Sequence, residues 1–350
     1  MNLAGRHLAD LIMPMRQAMY DFDPSSVRKA LTHIMTTDAA VHLSHPFGDC
    51  IGGDGLYDAA YAPLYEAVPD LERRDTIILA GIDDDGQNWI GACGYYTGSF
   101  LQSFLDIPPT GHQVGMRFHE FFCLQDDQIV EMQAIWDIPS LMMQSGVWPM
   151  SPSLGREWQV PAPATQDGVA YPHDPLRTET SKTVVIAMLT DMTRHPIHGD
   201  ATIMNLERYW HPRMSWYGPS GIGTARGIAG FRHWHQIPFL KGMPDRQGGM
   251  KSDLKSHFFA EGNYVATTGW PNMSMTVTGD GWLGIVPSGQ SITMRSLDFW
   301  RLEGDLIREN WVLVDLLDVY HQLGVDVLGR MREFTKARPQ GSVLLERDYS

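Results

Sequence analysis

The sequence predicts an α+β fold arranged as two tandem domains, and two observations carry this prediction. Residues 109–147 recur as residues 287–325 at a constant offset of 178 without a gap, and thirteen of the 39 aligned pairs are identical. In both halves, helical patterns come first and strand patterns follow, with one helix inserted early. A repeat of this length is too large for a solenoid unit, so each copy is expected to be part of a whole domain.

The repeated unit itself has the pattern of a β-hairpin followed by a short helix. Val114–Leu124 and Ile129–Trp136 are rich in β-branched and aromatic residues, as strands are. Asp137 ends the second strand, and a proline and a glycine are placed to start and stop the helix that follows. Asp315 occupies the same junction in the second copy, so both domains are expected to close with the same arrangement.

The elements outside the repeated unit follow the same order in both halves. In the first half, helices are predicted within 3–35, a short strand at 41–44, a glycine-rich loop at 52–55 and the inserted helix at 56–67. Six prolines between the halves indicate an extended linker. The predicted units are two domains at 1–150 and 181–337, a proline-rich linker at 151–180, and a C-terminal tail at 338–350.

Charge and composition restrict the partners of the protein. The chain has 27 basic and 41 acidic residues, and 27 − 41 gives a formal net charge of −14. Nucleic acid and anionic membranes attract basic surfaces, so neither is an expected partner. No apolar run has the length of a membrane span, and no signal-peptide pattern is present. The three cysteines show no C-x-x-C spacing, so we expect no disulfide framework or zinc site and a cytoplasmic location.

Three motifs of the repeated unit carry a family resemblance. They are G-(H/Q)-x-(V/I)-x-M-R at 111–117 and 289–295, D-x-I-x-E within the hairpin, and D followed by Q-x-G at 137–146 and 315–324. With them the chain resembles the SnoaL-like polyketide cyclases of the nuclear transport factor 2-like superfamily. The resemblance implies two cone-shaped (cystatin-like) α+β barrels, each a curved antiparallel sheet with helices on its concave face around an apolar pocket.

The resemblance also implies a chemistry. In the cyclases an aspartate acts as general acid and base for an intramolecular aldol closure, without a metal or organic cofactor, and the matching residues here are Asp137 and Asp315. We therefore expect a cofactor-independent lyase or isomerase that acts on an apolar carbonyl compound by aldol-type cyclisation, isomerisation or dehydration. The alternatives are a small-molecule-binding protein without chemistry and a protein in which one domain supports the other. Either aspartate can also be an ordinary helix N-cap.

Two histidines of the first domain join the aspartates as catalytic candidates. His45 precedes Pro46 at the exit of the first strand and resembles the turn that carries the base in the superfamily's steroid isomerases. His119 lies in an aromatic strand and has Leu297 at its repeat position, so the two pockets are not expected to be equivalent. Arg117 is expected to form a cross-strand ion pair with Glu131, and the counterparts in the second copy, Arg295 and Glu309, are expected to do the same.

Aromatic and histidine side chains supply the candidates for substrate binding. Both halves are rich in tryptophan, tyrosine, phenylalanine and methionine, which line pockets for apolar molecules but also fill cores. Two covalently joined copies are expected to pack through their sheet faces as an internal pseudo-dimer, which leaves further homo-oligomerisation open. No metal site is predicted, because the histidines of the second half lack suitable spacing. The predicted substrate-binding residues are His42, Tyr95, Tyr96, Trp136, Trp216, Tyr217 and His257.

Overall fold

Each half of the chain forms a six-stranded sheet, and helices cover one face of each sheet. The computed structural model describes residues 7–170, 174–195, 200–248, 254–279 and 282–336. The two sheets have the same strand order when their strands are matched along the sequence, and the helices follow the same succession. The predicted α+β fold with two tandem units is therefore confirmed. None of the described helices is both long and apolar enough to cross a membrane.

Six strands form the first sheet, namely β1 (Met35–Leu43), β2 (Gly48–Ile51), β3 (Glu72–Ile82), β4 (Asn88–Ser99), β5 (Gln113–Gln125) and β6 (Gln128–Trp136). Their order is β2-β1-β6-β5-β4-β3, and β1 and β6 run parallel whereas the other neighbours are antiparallel. The parallel pair departs from the expected antiparallel sheet because most of the domain, and not a hairpin, connects β1 to β6. The helices are α1 (Met13–Tyr20), α2 (Pro24–Ile34), α3 (Gly52–Leu56), α4 (Ala62–Ala67) and α5 (Ile138–Gln144), with a 3₁₀ turn at Leu8–Ile12 and a π-helical turn at Tyr57–Tyr61.

The described residues of the second half form nine strands, namely β7 (Trp210–Tyr217), β8 (Thr224–Arg226), β9 (Gln247–Gly248), β10 (His257–Glu261), β11 (Tyr264–Thr268), β12 (Met273–Thr276), β13 (Ser291–Met294), β14 (Ser296–Glu303) and β15 (Leu306–Val314). The main sheet has the order β10-β11-β14-β15-β7-β8, and β13-β12-β9 form a separate small sheet. Again the only parallel pair among these described strands of the main sheet joins β7 and β15. The helices are α6 (Pro175–Met192), α7 (Leu206–Tyr209), α8 (Gly227–Phe231), α9 (Ile237–Gly242), α10 (Leu316–Gln322) and α11 (Val327–Lys336), with 3₁₀ turns at Ala201–Met204 and Trp282–Gly284 and a π-helical turn at Arg232–Gln236.

The two faces of each sheet have different neighbours. Side chains alternate along a strand, so β5 turns Phe118 and Phe122 towards the helices of its own domain. The residues between them, His119 and Phe121, face the second sheet instead. Each domain therefore has one interior beneath its helices, and the two domains share a second core between their sheets.

The shared core joins the two domains face to face. Its hydrogen bonds include His119 Nδ1 to the Leu297 carbonyl oxygen at 2.7 Å and Thr268 Oγ1 to Gln133 Oε1 at 2.6 Å. This arrangement agrees with the packing expected of an internal pseudo-dimer. The largest buried side chains of this core are Trp89, Phe121, Phe259, Tyr264, Phe299 and Trp311.

The segment between the domains is less extended than the sequence indicated. Helix α6 begins at Pro175 with Asp174 as its N-cap, so the last six residues of the predicted linker 151–180 are helical. The preceding part crosses both domains, because Tyr95 donates to the Val160 carbonyl oxygen and Trp311 donates to that of Pro161, each at 3.0 Å. The predicted tail 338–350 lies outside the described residues.

The glycine-rich segment predicted as a loop at 52–55 is helix α3. A Cβ atom on Gly53 would lie 2.6 Å from the backbone carbonyl carbon of Leu31, so glycine allows α3 to approach α2 closely. The glycines of this segment therefore serve helix packing, and the signal for a loop was wrong.

Candidate active site

The interior of the second domain holds a cavity of about 420 Å³ beneath its helices. This volume is within the range of small-molecule sites, and the walls are mainly aromatic and apolar. The large apolar side chains of the wall are Trp210, Trp216, Phe231, Phe239, Phe258, Met273, Trp282, Met294 and Trp300. The polar lining includes His235, Arg246, Thr267, Asn272, Ser296, Asp298 and Asn310.

A break in the second sheet opens this cavity. In the first domain, strand β4 runs without interruption from Asn88 to Ser99. In the second domain the corresponding strand stops at Thr268 and resumes at Met273, with Pro271 between them. Proline has no N–H to donate to a strand ladder, so β12 and β13 separate from the main sheet and form another wall of the cavity.

Asp298 is an ionisable group on the floor of the cavity. It lies on β14, and Ser296 Oγ donates a hydrogen bond of 2.7 Å to its Oδ1 atom. Burial raises the pKa of Asp298 to about 7, although the Ser296 hydrogen bond and the charge of Arg246 both act to lower it. A carboxyl group with this pKa exchanges a proton readily near neutral pH.

Two further ionisable side chains line the same cavity. The ring of His235 stacks on Trp216 with 4.0 Å between centroids. Burial, with a smaller effect of Arg246, lowers the pKa of His235 to about 3, so this ring is neutral at physiological pH. Burial also lowers the pKa of Arg246. Within the described part of the chain, His235 Nδ1 and Arg246 Nε have no hydrogen-bond partner.

The first domain contains a filled interior at the equivalent place. Glu120 lies 178 residues before Asp298 and is fully buried. Its Oε1 atom accepts hydrogen bonds from Tyr96 at 2.7 Å and from the indole N–H of Trp136 at 3.1 Å, and its Oε2 atom accepts one from Arg73 at 2.6 Å. Tyr61 donates a further hydrogen bond to Oε1 at 3.3 Å. This carboxylate is held by a salt bridge and three neutral donors, so it is a structural group.

The repeat shows why one interior is filled and the other is open. Phe118 on β5 is the register partner of Trp136 on β6, and both rings occupy the interior of the first domain. At the same offset of 178, the paired residues of the second domain are Ser296 and Val314. Two large rings of the first domain are thus replaced by two small side chains beside Asp298 in the second. The volume that the rings fill in the first domain is therefore open in the second.

Family models match both halves of the chain. The model described as SnoaL-like polyketide cyclase matches residues 14–145, and the model described as SnoaL-like domain matches residues 198–310. The protein is a tandem of two SnoaL-like domains. The predicted family is therefore confirmed for both copies. A search of curated proteins found no match.

Several solved structures are also similar to about two fifths of this chain each. IdmH of Streptomyces antibioticus, a proposed polyketide cyclase, is 21% identical, with a TM-score of 0.34, over 40% of this chain and 99% of its own. A SnoaL-like polyketide cyclase of Agrobacterium tumefaciens is 18% identical, with a TM-score of 0.31, over 40% of this chain and 98% of its own. TsrD of Streptomyces laurentii is 20% identical, with a TM-score of 0.32, over 39% and 92%. Because these scores are low, the family assignment depends on the two domain models.

Asp137 of the first SnoaL-like domain faces the second domain. Its carboxylate caps α5 by accepting from the Ser140 N–H at 3.3 Å, and it accepts from the Ser220 N–H across the interface at 3.2 Å. Burial raises the pKa of Asp137, and Arg117, whose Nη2 atom is 3.8 Å from Oδ2, opposes this shift. A proton shuttle at this position would have to open into the interior of its own domain, whereas this carboxylate lies in a cleft between the domains.

Asp315 repeats this arrangement in the second SnoaL-like domain. It caps α10 through the Asp318 N–H at 3.2 Å and accepts from the His45 N–H of the first domain at 3.0 Å. Arg295 Nη1 lies 3.0 Å from its Oδ2 atom, and burial raises the pKa of Asp315 to about 6. The catalytic role of the two aspartates stays a prediction, while their geometry favours capping and domain packing.

The predicted catalytic histidines are also outside the cavity. The ring of His45 stacks on His321 with 4.6 Å between centroids, and burial, with the charge of His321, lowers the pKa of His45. His119 is fully buried between the two sheets, where burial and Arg117 lower its pKa well below the usual range. Neither ring lines the cavity that contains Asp298. His45 instead adjoins Asp315 through its backbone N–H, and His119 faces the second sheet beside Leu297.

The predicted substrate-binding residues divide among four places. Trp216 lines the cavity, whereas Tyr96 and Trp136 fill the interior of the first domain. Tyr95 and Tyr217 lie at the interface between the domains, in the cleft and in the shared core. The remaining two histidines bond to acids, His42 to Asp49 at 2.9 Å and His257 to Asp83 at 2.6 Å.

His257 also belongs to a group of potential metal ligands. Together with Asp83 and Asp85 it is the one such group found among the described residues. Asp83 Oδ2 already bonds to His257 and accepts from the Trp89 indole N–H, and its Oδ1 atom accepts two backbone N–H groups. These contacts satisfy the carboxylate, so the group is explained as part of the interface.

The predicted cross-strand ion pairs are not formed. Arg117 donates to the carbonyl oxygens of Tyr217 and Gly218, at 3.2 and 2.8 Å. The register explains the difference, because Glu131 lies opposite Cys123 on β5, six residues beyond Arg117. The counterpart of this glutamate in the second domain is ion-paired with another arginine of β14 at 2.6 Å.

Two residues of the cavity were missed at the level of the sequence. Asp298 had a signal, because the repeat places an acid at this position in both copies. The acid is Glu120 in the first copy and aspartate in the second, so the pair is not among the identical ones. Strand alternation also places Asp298 on the face opposite Leu297 and Phe299. Arg246 had no signal, since it follows α9 in an irregular segment.

Proposed function

We propose that the second SnoaL-like domain catalyses proton transfer on an apolar carbonyl compound, and that Asp298 carries the proton. The reaction class is the one predicted from the sequence, namely aldol-type cyclisation, isomerisation or dehydration. The supporting observation is a carboxyl group with a pKa of about 7 on the wall of an aromatic cavity of about 420 Å³. Enzymes raise carboxyl pKa values in this manner for general acid–base catalysis.

The reaction requires a group that removes a proton next to a carbonyl and returns it elsewhere. Asp298 meets both needs, because near neutral pH it is present in the ionised and the protonated form. His235 stays neutral in the cavity, so its role is to hydrogen-bond and stack and not to carry the proton. Proton transfer of this kind uses side chains alone, so the proposal includes no cofactor.

The first SnoaL-like domain has a supporting role in this proposal. Its interior acid, Glu120, is bound by Arg73 and three aromatic donors and is closed off by large rings. A carboxylate whose two oxygens already accept hydrogen bonds from a buried arginine and from aromatic groups is not free to contact a ligand. We therefore place the reaction in the second domain, with the first providing the sheet against which it packs.

Deuterium exchange into an apolar ketone tests the proposal without knowledge of the natural substrate. The protein is incubated with 2-tetralone in D₂O, and loss of the α-proton signals is followed by ¹H NMR. We expect catalysed exchange in the unmodified protein and a decrease of on the order of a hundredfold or more in Asp298→Asn. Asp127→Asn is the matched control, because Asp127 is exposed in the β5–β6 turn at φ 63°, which asparagine tolerates.

Two outcomes would overturn the proposal. Equal exchange rates in Asp298→Asn and the unmodified protein would remove Asp298 from the reaction. Binding of 2-tetralone in the cavity with no exchange above the buffer rate would favour the alternative predicted from the sequence, a small-molecule-binding protein without chemistry.

A further inference from the structure

The cavity of the second domain contains an arginine whose charge is not neutralised by a direct contact. Arg246 lines the cavity and lies near the ring of Phe239, with 6.0 Å from its Cζ atom to the ring centroid. Among the described residues no carboxylate forms an ion pair with it, and its buried Nε atom has no hydrogen-bond partner. Asp298 acts on Arg246 only through the longer-range attraction of their charges.

A charged arginine in a cavity without an ion-pair partner lowers the stability of the protein when no ligand is bound. A charged group that leaves bulk water loses free energy of hydration, which ion pairs and hydrogen bonds normally replace. The buried arginine in the interior of the first domain has such replacements, because Arg73 forms ion pairs with Glu120 and Asp75. The charge of Arg246 is therefore placed for a group that enters the cavity from outside.

The chemistry of the guanidinium group selects that ligand group. Its planar N–H donors match the two oxygens of a carboxylate, and the resulting hydrogen bonds are stronger than those to a neutral carbonyl. The remaining wall is aromatic, with Trp210, Trp216 and Trp300 among its largest side chains. Flat apolar bodies pack well against such rings.

We propose that the ligand of the second domain is an apolar, mainly aromatic carboxylic acid whose carboxylate is bound by Arg246. The proposal depends on the proposed function in one respect, because both place the ligand in the same cavity. It adds the substrate class, and it assigns Arg246 to ligand binding while Asp298 keeps the role of proton carrier. The acid group then fixes which part of the apolar body lies next to Asp298.

Isothermal titration calorimetry with two matched probes tests this assignment. The probes are 2-naphthoic acid and 2-naphthamide at pH 8, which share one ring system and differ in charge. We expect the acid to bind about 10- to 100-fold more tightly than the amide to the unmodified protein. In Arg246→Gln this advantage should be lost while the Kd of the amide is unchanged.

The control variant is Arg213→Gln, which removes an exposed arginine of β7 and should leave both Kd values unchanged. Its purpose is to exclude a general effect of net charge, since the chain already carries −14. Equal binding of acid and amide, or equal weakening of both in Arg246→Gln, would overturn the ligand assignment. That failure leaves the deuterium-exchange result untouched, whereas absence of binding by either probe together with absence of exchange would overturn the proposed function as well.

Discussion

The raised pKa of Asp298 makes the second domain less stable as pH increases. In the unfolded chain an aspartate loses its proton near pH 4, whereas Asp298 in the folded protein keeps its proton up to about pH 7. Between these values the folded state binds one proton more than the unfolded state, so the free energy of unfolding falls as pH rises. Above about pH 7 both states are ionised and the loss is complete.

The size of this effect follows from the shift. The pKa moves from 3.8 to about 7, roughly three units, and each unit corresponds to about 1.36 kcal/mol, so the full cost is on the order of 4 kcal/mol. Asp298→Asn has nearly the same shape and never ionises, so it avoids this cost. From pH 5 to pH 8 the stability of the variant relative to the unmodified protein should increase by about 3 kcal/mol.

Urea unfolding followed by tryptophan fluorescence at pH 5 and pH 8 measures this difference. Other groups with shifted pKa values, such as Asp315, are common to both proteins and cancel in the comparison. An advantage of Asp298→Asn that does not change with pH would refute the raised pKa. An advantage that decreases towards pH 8 would show that the folded protein favours the ionised form of Asp298. The pKa of Asp298 would then be lowered and not raised.

Two further predictions concern the groups that this structure assigns to stability. Glu120→Ala should lower the free energy of unfolding by about 3–5 kcal/mol in the same urea assay, because Arg73 loses a buried partner. Asp298→Ala at the matching position breaks no ion pair, so it should lower the free energy of unfolding clearly less at pH 8. Asp137→Ala should cost about 1–2 kcal/mol through loss of the cap and of the bond from Ser220. A hundredfold loss of exchange activity in a folded Asp137→Asn protein would instead support the catalytic role predicted from the sequence.

The parts of the fold that were predicted correctly have strong local signals. The β5–β6 hairpin and α5 were found because the segments before Asp137 are rich in β-branched and aromatic residues and because Pro139 favours a helix start. Strand β1 was predicted only at 41–44, since its first half carries the exposed polar residues Thr37 and Asp38. A polar edge of this kind does not differ from a loop in local sequence.

The candidate site was less accessible from the sequence for a physical reason. Whether a carboxylate is a cap, an ion-pair partner or a proton carrier depends on neighbours that are distant in the chain. Asp137 meets Ser220, and Asp298 shares its cavity with Arg246, contacts that only the tertiary structure creates. The size of an interior depends in the same way on pairs such as Ser296 and Val314, whose small volume is meaningful only once their strands are known to be neighbours.

The internal repeat also changes the meaning of identity between the copies. Arg117 and Arg295 are identical, as are Asp137 and Asp315, and each of the four lies at the interface or at a helix cap. Two domains that pack face to face need the same interface twice, so these residues are required in both copies whatever the chemistry. A single reaction site needs its residues only once. In the proposed function, the reaction site is therefore where the copies differ, at Asp298 and the small side chains around it. The most identical part of the repeat then describes how the domains are held together.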